Sequence, residues 1–207
     1  MDAVVFDCDG VLLETIPAKL RAYMDWLPPE HESHRERFRI HNLKSFGTSR
    51  SLQLRYFFEV LLGEEVSEEV LEEEVVRFAG ICEPLCEAAP WAEGAREFVQ
   101  SCREAGADTF VLSGTPQLEL EAMLEQRGAM EMFRAVMGFP ETKTGGLRRV
   151  AGQWGFVRER TLFVGDAEKD ASAAAQVGVP FVYRPSEADR PESAVSTETR
   201  NLMDLLA

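Results

Sequence analysis

Acidic side chains close two of the short apolar runs of this sequence. Asp7 and Asp9 follow residues 3–6, and Asp166 follows residues 161–164 after a single glycine. Both runs are short and contain valine, a composition typical of strands buried in a parallel sheet. Because ligands of such sheets bind beyond the carboxyl ends of the strands, we expect these carboxylates to meet at one edge. Carboxylates brought together repel one another unless a cation lies between them, and their oxygens suit a hard divalent ion such as Mg²⁺.

A serine and a lysine lie where they could hold an anion. Ser113 and Gly114 follow the apolar run 109–112 and precede a helical pattern, so this segment is a candidate anion cradle. Lys143 lies just before another helical pattern and supplies a compact positive charge for a phosphoryl oxygen. A metal site, an anion cradle and a lysine around one carboxylate are the parts that phosphoryl transfer needs. The sequence therefore predicts chemistry on a phosphate ester.

Short apolar runs alternate with amphipathic stretches over most of the chain. The predicted strands are residues 3–6, 109–112, 135–137, 161–164 and 181–183, and the predicted helices are residues 91–105, 116–127, 147–154 and 167–177. Each helix stops at a glycine, and Asp166 is placed as the N-cap of the last one. This alternation predicts an α/β fold, a three-layer, Rossmann-like parallel sheet with helices on both faces. Residues 185–196, rich in Pro, Ser and Glu, are predicted as a surface loop before a short terminal helix.

One long stretch of the chain lacks predicted strands. Between residues 15 and 86 the pattern predicts helices alone, at residues 17–27, 51–62 and 67–78. The strand pattern breaks off before this stretch and resumes after it. We therefore interpret residues 15–86 as an α-helical domain inserted into a core that consists of residues 1–14 and 87–207.

The charge of the chain excludes several classes of partner. The 22 Lys and Arg residues against 36 Asp and Glu residues give a net charge of −14, so the protein repels nucleic acids and anionic membranes. No apolar run approaches the roughly 20 residues that a membrane span requires. The N-terminus lacks the basic segment of a signal peptide, and the four cysteines are too sparse for a disulfide scaffold. We therefore expect a cytoplasmic protein.

The chain resembles the haloacid dehalogenase superfamily at the residues that could do chemistry. Residues 6–11 are similar to its first motif, a hydrophobic strand closed by Asp-x-Asp-Gly, and residues 111–115 contain the serine of the second. Lys143 stands where the third motif has its lysine, although the Lys-Pro pair of many relatives is absent, and residues 164–170 resemble the fourth motif. The inserted helices resemble the C1-type cap of the phosphoglycolate phosphatase and β-phosphoglucomutase-like branch. In that branch the cap closes over the site, excludes water and selects the substrate.

The resemblance implies a role for each acid. Asp7 would be the nucleophile, which takes the phosphoryl group as an aspartyl-phosphate. Asp9 would protonate the leaving oxygen and later deprotonate water, which requires a raised pKa. The backbone carbonyl of Asp9 would bind Mg²⁺ together with the carboxylates of Asp7 and Asp166. Asp170, one helical turn after Asp166, would hold the water ligands of the metal or Lys143.

The same resemblance assigns the groups that bind the phosphate. The Ser113 hydroxyl, the Gly114 N–H and the Lys143 ammonium would hold the transferring group. Taken alone, Ser113 and Gly114 could form a plain turn and Lys143 could be an exposed surface residue. Lys169 is a weaker substitute for Lys143, because it falls on the helix between two of the acids.

The acid at position 9 narrows the reaction class. The dehalogenases and the phosphonate-cleaving members resemble one another in having no acid at this place, and the ion-pumping ATPases carry Asp-Lys-Thr-Gly-Thr. The resemblance therefore leaves a phosphatase or a phosphomutase that acts on a small phosphorylated metabolite. The mutases have a histidine twelve residues after the nucleophile, whereas this chain has Lys19, which favours the phosphatase. A non-catalytic binding module is a third alternative, but such a module would have lost motif residues and none is lost here.

Three residues of the insertion are candidates for contact with the substrate. Residues 46–50 resemble the substrate loop of the cap, and the Arg50 guanidinium suits a second phosphate or a carboxylate. The alternative is that Arg50 is simply an early residue of the next helix. Thr15 keeps a polar residue at the expected hinge, and Lys19 takes the place of the histidine of the mutases. The sequence makes no prediction of the oligomeric state.

Overall fold

Six parallel strands form one sheet in the computed structural model, which describes residues 1–46, 48–186, 190–193 and 195–206. The strands are β1 Ala3–Phe6, β2 Asp108–Pro116, β3 Ala135–Phe139, β4 Thr161–Gly165, β5 Phe181–Tyr183 and β6 Thr197–Glu198. Their order is β3-β2-β1-β4-β5-β6, and every neighbouring pair is parallel. β1 therefore lies between β2 and β4, and the carboxyl ends of these three strands lie side by side.

Eight α-helices occur in the part of the chain that the structure describes. They are α1 Ile16–Trp26, α2 Arg35–Lys44, α3 Arg50–Tyr56, α4 Glu68–Glu87, α5 Ala95–Glu104, α6 Gln117–Gln126, α7 Lys143–Gly152 and α8 Glu168–Val177. Shorter 3₁₀ helices span Pro29–His34, Met130–Met132, Arg158–Arg160 and Leu202–Leu206, and Phe57–Leu62 is a π-helix. None of the described helices is long and apolar enough to cross a bilayer.

The chain divides into two compact units. The first, here the sheet unit, comprises Met1–Glu14 and Pro90–Ala207, with all six strands and α5–α8. The second, the helical unit, is Thr15–Ala89 and contains α1–α4. The boundary expected from the sequence after residue 86 falls within α4, which continues to Glu87.

Both faces of β1 are covered, which explains why its residues are all apolar. Side chains of a strand point alternately to the two faces of the sheet. On one face the Phe6 ring packs edge-on against Phe98 of α5, with 6.0 Å between ring centroids. On the other face Val5 joins an apolar cluster with Leu147 of α7 and Ala174 of α8. The predicted α/β fold, with helices on both faces of a parallel sheet, is confirmed.

The strands match the predicted ones most closely where the apolar runs are cleanest. β1 and β5 have the predicted bounds, while β2, β3 and β4 extend beyond them. The sequence pattern does not predict β6, because its two residues are exposed and carry no apolar signal. Residues 187–189 and 194 of the predicted surface loop lie outside the described residues.

The N-terminus of α8 corrects one prediction. The N-cap residue is Ala167 and not Asp166. Asp170, the third residue of the helix, accepts the N–H groups of Asp166 and Ala167 at 3.3 and 3.2 Å, so its carboxylate ties the chain that enters the helix to the first turn. The Asp166 side chain is consequently not used to cap the helix.

The N-terminus of α7 also differs from the prediction, which began this helix at residue 147. The helix begins at Lys143, because Thr142 Oγ1 accepts a hydrogen bond from the Gly145 N–H at 3.0 Å and caps the first turn. Two adjacent glycines, which are poor helix formers, conceal this start in the sequence. The earlier start puts Lys143 in the first turn of the helix.

An aromatic core stabilises the helical unit. The Phe38 ring is fully buried and lies 5.7, 5.9 and 5.2 Å from the rings of Tyr23, Trp26 and Phe57. Tyr23 in turn stacks on Phe78 of α4 at 4.3 Å. We call these five residues the aromatic cluster. They connect α1, α2 and α4 with the π-helix, and each such aromatic pair adds about 0.5–1.5 kcal/mol beyond the burial of its area.

The helices of this unit follow the predicted ones in part. The predicted helix 17–27 is α1, displaced by one residue, and the predicted helix 51–62 divides into α3 and the π-helix. The predicted helix 67–78 continues as α4 to Glu87, although Pro84 lies within it. The sequence pattern does not predict α2, in which charged and polar residues outnumber apolar ones.

Candidate active site

Asp7 is the first residue after β1, at the centre of the sheet. Its backbone N–H donates to the Val164 carbonyl at 2.8 Å, which continues the pairing of β1 with β4. The residue is 7% exposed, and its Oδ1 accepts the N–H of Cys8 at 2.7 Å. The carboxylate is therefore fixed at the edge where β1, β2 and β4 end.

Three buried carboxylates meet at this edge. One oxygen from each of Asp7, Asp166 and Asp170 lies within 4.8 Å of the others, and we call these three residues the acid cluster. Asp166 and Asp170 are 2% and 1% exposed. Gly165 permits the arrangement, because a Cβ built at this position would lie 2.4 Å from the Cβ of Asp170. Any larger residue at position 165 would displace the Asp170 side chain.

Lys143 neutralises part of the charge of the acid cluster. Its Nζ lies 2.7 Å from Asp7 Oδ1 and 2.9 Å from Asp170 Oδ1, and it donates to the Leu112 carbonyl at 2.7 Å. Burial alone would lower the pKa of Lys143, but the carboxylates of Asp170 and Asp7 outweigh it and hold the pKa above its usual value. The lysine is therefore charged at neutral pH. The structure thus places Lys143 beside Asp7, and this is the lysine that the order of the motifs favours over Lys169.

The charged forms of the Asp7 and Asp166 carboxylates are still disfavoured in the presence of Lys143. Burial raises the pKa of Asp7 well above its usual range; Lys143 acts against this rise, while Asp170 and Asp166 add to it. Burial likewise raises the pKa of Asp166 to about 7, with a further contribution from the charge of Asp170. A divalent cation between these oxygens would relieve both effects.

Asp166 offers a free oxygen to such a cation. Its Oδ2 is buried, and no group in the described part of the chain donates a hydrogen bond to it. A buried carboxylate oxygen without a partner is costly, so the acid cluster fits a divalent metal ion by the chemistry of its donors. The carboxylates that the structure brings together are those of Asp7, Asp166 and Asp170.

The Asp9 carboxylate contacts hydroxyl groups of β2. Its Oδ2 accepts hydrogen bonds from Thr115 Oγ1 at 2.9 Å and from Ser113 Oγ at 3.3 Å. Ser113 Oγ also accepts the Thr115 N–H at 3.1 Å. The resemblance assigns only the backbone carbonyl of Asp9 to the metal. The side-chain carboxylate of Asp9 instead contacts the hydroxyls of Ser113 and Thr115.

Sequence reasoning gave no role to two residues that contact these acids. Thr115 lies two positions after Ser113 in β2, so its side chain points to the same face, and this alternation was the available signal. Ser186 follows β5, and the hydrogen bond from its side chain lowers the pKa of Asp166. Its position at a strand end was the available signal, but the segment was predicted only as a surface loop.

The three candidate substrate residues of the insertion all lie in the helical unit. Thr15 is buried, and its carbonyl accepts the Lys19 N–H at 2.9 Å in the first turn of α1. Arg50 is the first residue of α3, and its guanidinium lies 5.6 Å from the centre of the Phe78 ring. Gly47, the glycine of the expected substrate loop, lies outside the described residues.

Lys19 and Arg50 share a neighbour. Burial raises the pKa of Tyr23 above its usual value and Cys82 adds to the rise, while the charges of Lys19 and Arg50 partly offset it. Lys19 lies one helical turn before Tyr23 on α1, and Arg50 lies over the Phe78 ring, which stacks on Tyr23. The structure thus groups two of the three candidates around one side chain of the aromatic cluster.

A family model of haloacid dehalogenase-like hydrolases matches residues 1–178. The chain belongs to this family. The match covers all four motifs and the helical unit, and the predicted superfamily and the prediction that the protein is a hydrolase are confirmed. A divalent metal ion is in general use among these hydrolases, and the acid cluster offers suitable ligands.

Relatives of known sequence or structure agree with this assignment. A phosphoglycolate phosphatase of Synechococcus elongatus is 24% identical over 184 residues, which are 86% of this chain and 81% of the relative. The crystal structure of a predicted phosphoglycolate phosphatase from Haemophilus somnus has a TM-score of 0.77 at 18% identity, with 100% of this chain and 96% of the other covered. A β-phosphoglucomutase-like protein from Thermotoga maritima has a TM-score of 0.73 at 18% identity, with 100% and 98% covered. At these identities the structural likeness shows a shared fold.

Proposed function

We propose that this hydrolase is a Mg²⁺-dependent phosphatase that releases phosphate from a small phosphorylated metabolite, a sugar phosphate or a phosphoglycolate-like monoester. The observation that carries the proposal is the position of Lys143, 2.7 Å from Asp7 and 2.9 Å from Asp170 at the end of the central strand. A buried carboxylate held beside a half-buried lysine and two further acids is suited to attack on a phosphate group. The phosphoglycolate phosphatase among the relatives supports this substrate class.

The metal would be held by the carboxylates of Asp7 and Asp166 and by the backbone carbonyl of Asp9, with Asp170 in support. The unpartnered Oδ2 of Asp166 favours this assignment. Bound Mg²⁺ would offset the negative charge of the carboxylates and of the phosphate group, and so allow an anion to approach an anion. Mn²⁺ shares this oxygen-ligand chemistry, whereas Ca²⁺ is larger and binds more ligands at longer distances.

The residues of the chain would divide the reaction between them. An oxygen of Asp7 attacks phosphorus, the bond to the leaving oxygen breaks, and Asp9 gives its proton to that oxygen. Asp9 then takes a proton from water, which attacks phosphorus, releases phosphate and restores the Asp7 carboxylate. Ser113 and the Gly114 N–H bind oxygens of the phosphate group throughout. The hydroxyls of Ser113 and Thr115 hold the Asp9 carboxyl beside the proposed phosphate site.

The choice of substrate would fall to the helical unit as an α-helical cap. Arg50, which lies over the Phe78 ring, and Lys19, one turn before Tyr23 on α1, would bind an anionic group of the substrate remote from the reacting phosphate. Thr15 would lie at the hinge. A small monoanionic or dianionic substrate is compatible with a net charge of −14, because local cations outweigh a distant excess of surface acid. We also infer a cytoplasmic location, since four cysteines in 207 residues are too sparse for a disulfide scaffold.

The test is a screen of phosphorylated metabolites and p-nitrophenyl phosphate with release of inorganic phosphate as the readout. We expect phosphate release with Mg²⁺, no release with EDTA, and recovery of release when Mg²⁺ is restored. Mn²⁺ and Ca²⁺ serve as comparisons. Undiminished activity in EDTA would refute the metal assignment. Transfer of labelled phosphate within a sugar without release would show a phosphomutase, and failure with every ester would favour a non-catalytic binding role.

A further inference from the structure

Arg184 is a buried cation directly after β5, on a segment to which neither motifs nor family resemblance assigned a role. The residue is 5% exposed. Its Nη1 donates to the Gly10 carbonyl at 2.6 Å, its Nη2 to Glu14 Oε1 at 2.6 Å and its Nε to the Arg200 carbonyl at 3.1 Å. A buried guanidinium is costly unless it is paired and hydrogen-bonded, and these three contacts meet that requirement.

Two of these partners bracket the turn that follows the catalytic acids. Gly10 comes directly after Asp9 and has a φ of +71°, a left-handed conformation that favours glycine. Its N–H donates to the Leu13 carbonyl at 2.8 Å, so the chain turns back at this point. Glu14 directly follows this turn. The planar fork of one guanidinium thus ties both ends of the turn to the end of β5.

We propose that Arg184 is a positioning residue, which holds the Gly10 carbonyl and Glu14 and thereby fixes the backbone that carries Asp9. The proposal rests on the proposed function, in which Asp9 transfers the protons. The peptide plane between Asp9 and Gly10 carries the Gly10 N–H, which donates to the Leu13 carbonyl beside Glu14, so holding Glu14 and the Gly10 carbonyl restrains this plane from both sides. A displacement of about 1 Å at such a group can cost about 100-fold in rate.

Two substitutions test this role. Arg184→Lys keeps the positive charge but replaces the fork by one ammonium, which we expect to lower kcat for p-nitrophenyl phosphate about tenfold. Arg184→Gln also removes the charge and should lower kcat about 100-fold. KM should change by less than about threefold, because the phosphate ligands are untouched. Both constants are measured per folded molecule, at a temperature where circular dichroism shows the variant to be folded.

Arg190→Lys is the matched control. Arg190 lies on the same C-terminal segment, but its side chain is 64% exposed and pairs with Glu198 at 3.2 Å. We expect wild-type kcat for this variant. An unchanged kcat in Arg184→Lys and Arg184→Gln, with only the melting temperature lowered, would show a purely structural role and overturn the proposal.

If the Arg184 variants fail to fold, Glu14→Gln decides the matter. The Glu14 side chain is 37% exposed, so the substitution is tolerable, and it removes the charge of one partner while an acceptor oxygen remains. We expect kcat to fall about threefold, since the contact with the Gly10 carbonyl persists. A kcat equal to that of the wild type would count against the proposal.

Hydrogen exchange separates this proposal from the proposed function. The N–H groups of Leu12 and Leu13 both donate to the Cys8 carbonyl at 2.9 Å, so the turn has measurable protection. In Arg184→Lys we expect the peptide that covers residues 8–14 to exchange about tenfold faster, and in Arg190→Lys to exchange as in the wild type. If the wild type hydrolyses no ester, the proposed function fails while this comparison still reports whether Arg184 orders the turn. Unchanged exchange would refute the positioning role whatever the activity.

Discussion

The acid cluster and the aromatic cluster bury opposite kinds of side chain. In the sheet unit, three carboxylates are buried beside one half-buried lysine, and burial raises the pKa of Asp7 and of Asp166. In the helical unit, aromatic rings pack edge-on or stacked, and Trp26 Nε1 donates to Glu74 Oε2 at 2.8 Å. Rings buried in this way stabilise the fold, whereas buried like charges destabilise it until a cation binds. Substitutions in the acid cluster should therefore lower the rate of the reaction, and substitutions in the aromatic cluster should lower the stability of the fold.

The largest effect is expected for Asp7→Asn. The amide cannot act as the nucleophile, so phosphate release should fall at least about 1,000-fold, which corresponds to about 4 kcal/mol in the activation barrier. The melting temperature should stay equal or rise, because one repelling charge is gone. Asp108→Asn is the control, since Asp108 is partly exposed and pairs with Arg134 at 2.7 Å. Activity of Asp7→Asn within about tenfold of the wild type would remove Asp7 from the mechanism.

Phe38→Ala should lower the stability of the fold and leave the activity nearly unchanged. The loss of a fully buried ring should lower the free energy of unfolding by about 3–5 kcal/mol, measured by urea denaturation. The turnover per folded molecule should stay within about threefold of the wild type, because the acid cluster is intact. Ile40→Ala is the control on the same helix, at a residue that is 41% exposed, and should cost less than about 1 kcal/mol. A loss of turnover without a loss of stability would break the separation.

Gln53→Leu should give the smallest effect and sharpen the comparison. The buried Gln53 Nε2 donates to the Ser45 carbonyl at 2.8 Å and to Thr48 Oγ1 at 2.7 Å, so these two acceptors lose a donor in the variant. We expect a loss of about 1–2 kcal/mol in unfolding free energy. If Arg50 contacts the substrate, KM should also rise about threefold, because its loop is less ordered.

Gln100→Leu serves as the control for this polar contact. Gln100 lies on α5, where its amide donates to the exposed Glu104 at 3.0 Å. We expect unchanged KM and a change of less than about 0.5 kcal/mol in stability. An equal loss of stability in both variants would mean that the hydrogen bonds of the buried Gln53 stabilise the protein no more than the exposed contact of Gln100.

The sequence predicted those features that depend on a residue and its near neighbours. The strands that end directly before Asp7 and Asp166 are apolar runs of clear composition, so their positions and the α/β fold follow directly. The start of α7 was misplaced because a threonine cap overrides two glycines. The N-cap of α8 was misplaced because Asp166 is a good N-cap by residue type, whereas the contact that fixes this helix start comes from Asp170 within the first turn.

Contacts between distant parts of the chain could not be predicted. Arg184 and Gly10 are 174 residues apart, and no period or spacing links them. The same holds for Thr115 and Asp9, which meet because β1 and β2 are neighbours in register. Such pairings depend on strand order, which the alternation of strands and helices alone does not specify.

The contacts of Lys143 have a consequence for how a ligand enters. An ammonium group has three N–H donors, and Asp7, Asp170 and the Leu112 carbonyl supply three acceptors within 2.9 Å. A phosphate oxygen that binds this lysine must therefore displace one of them. Ligand binding at Lys143 therefore exchanges one hydrogen-bond acceptor for another. The affinity reflects the difference in free energy between the hydrogen bond to the incoming oxygen and the hydrogen bond that it replaces.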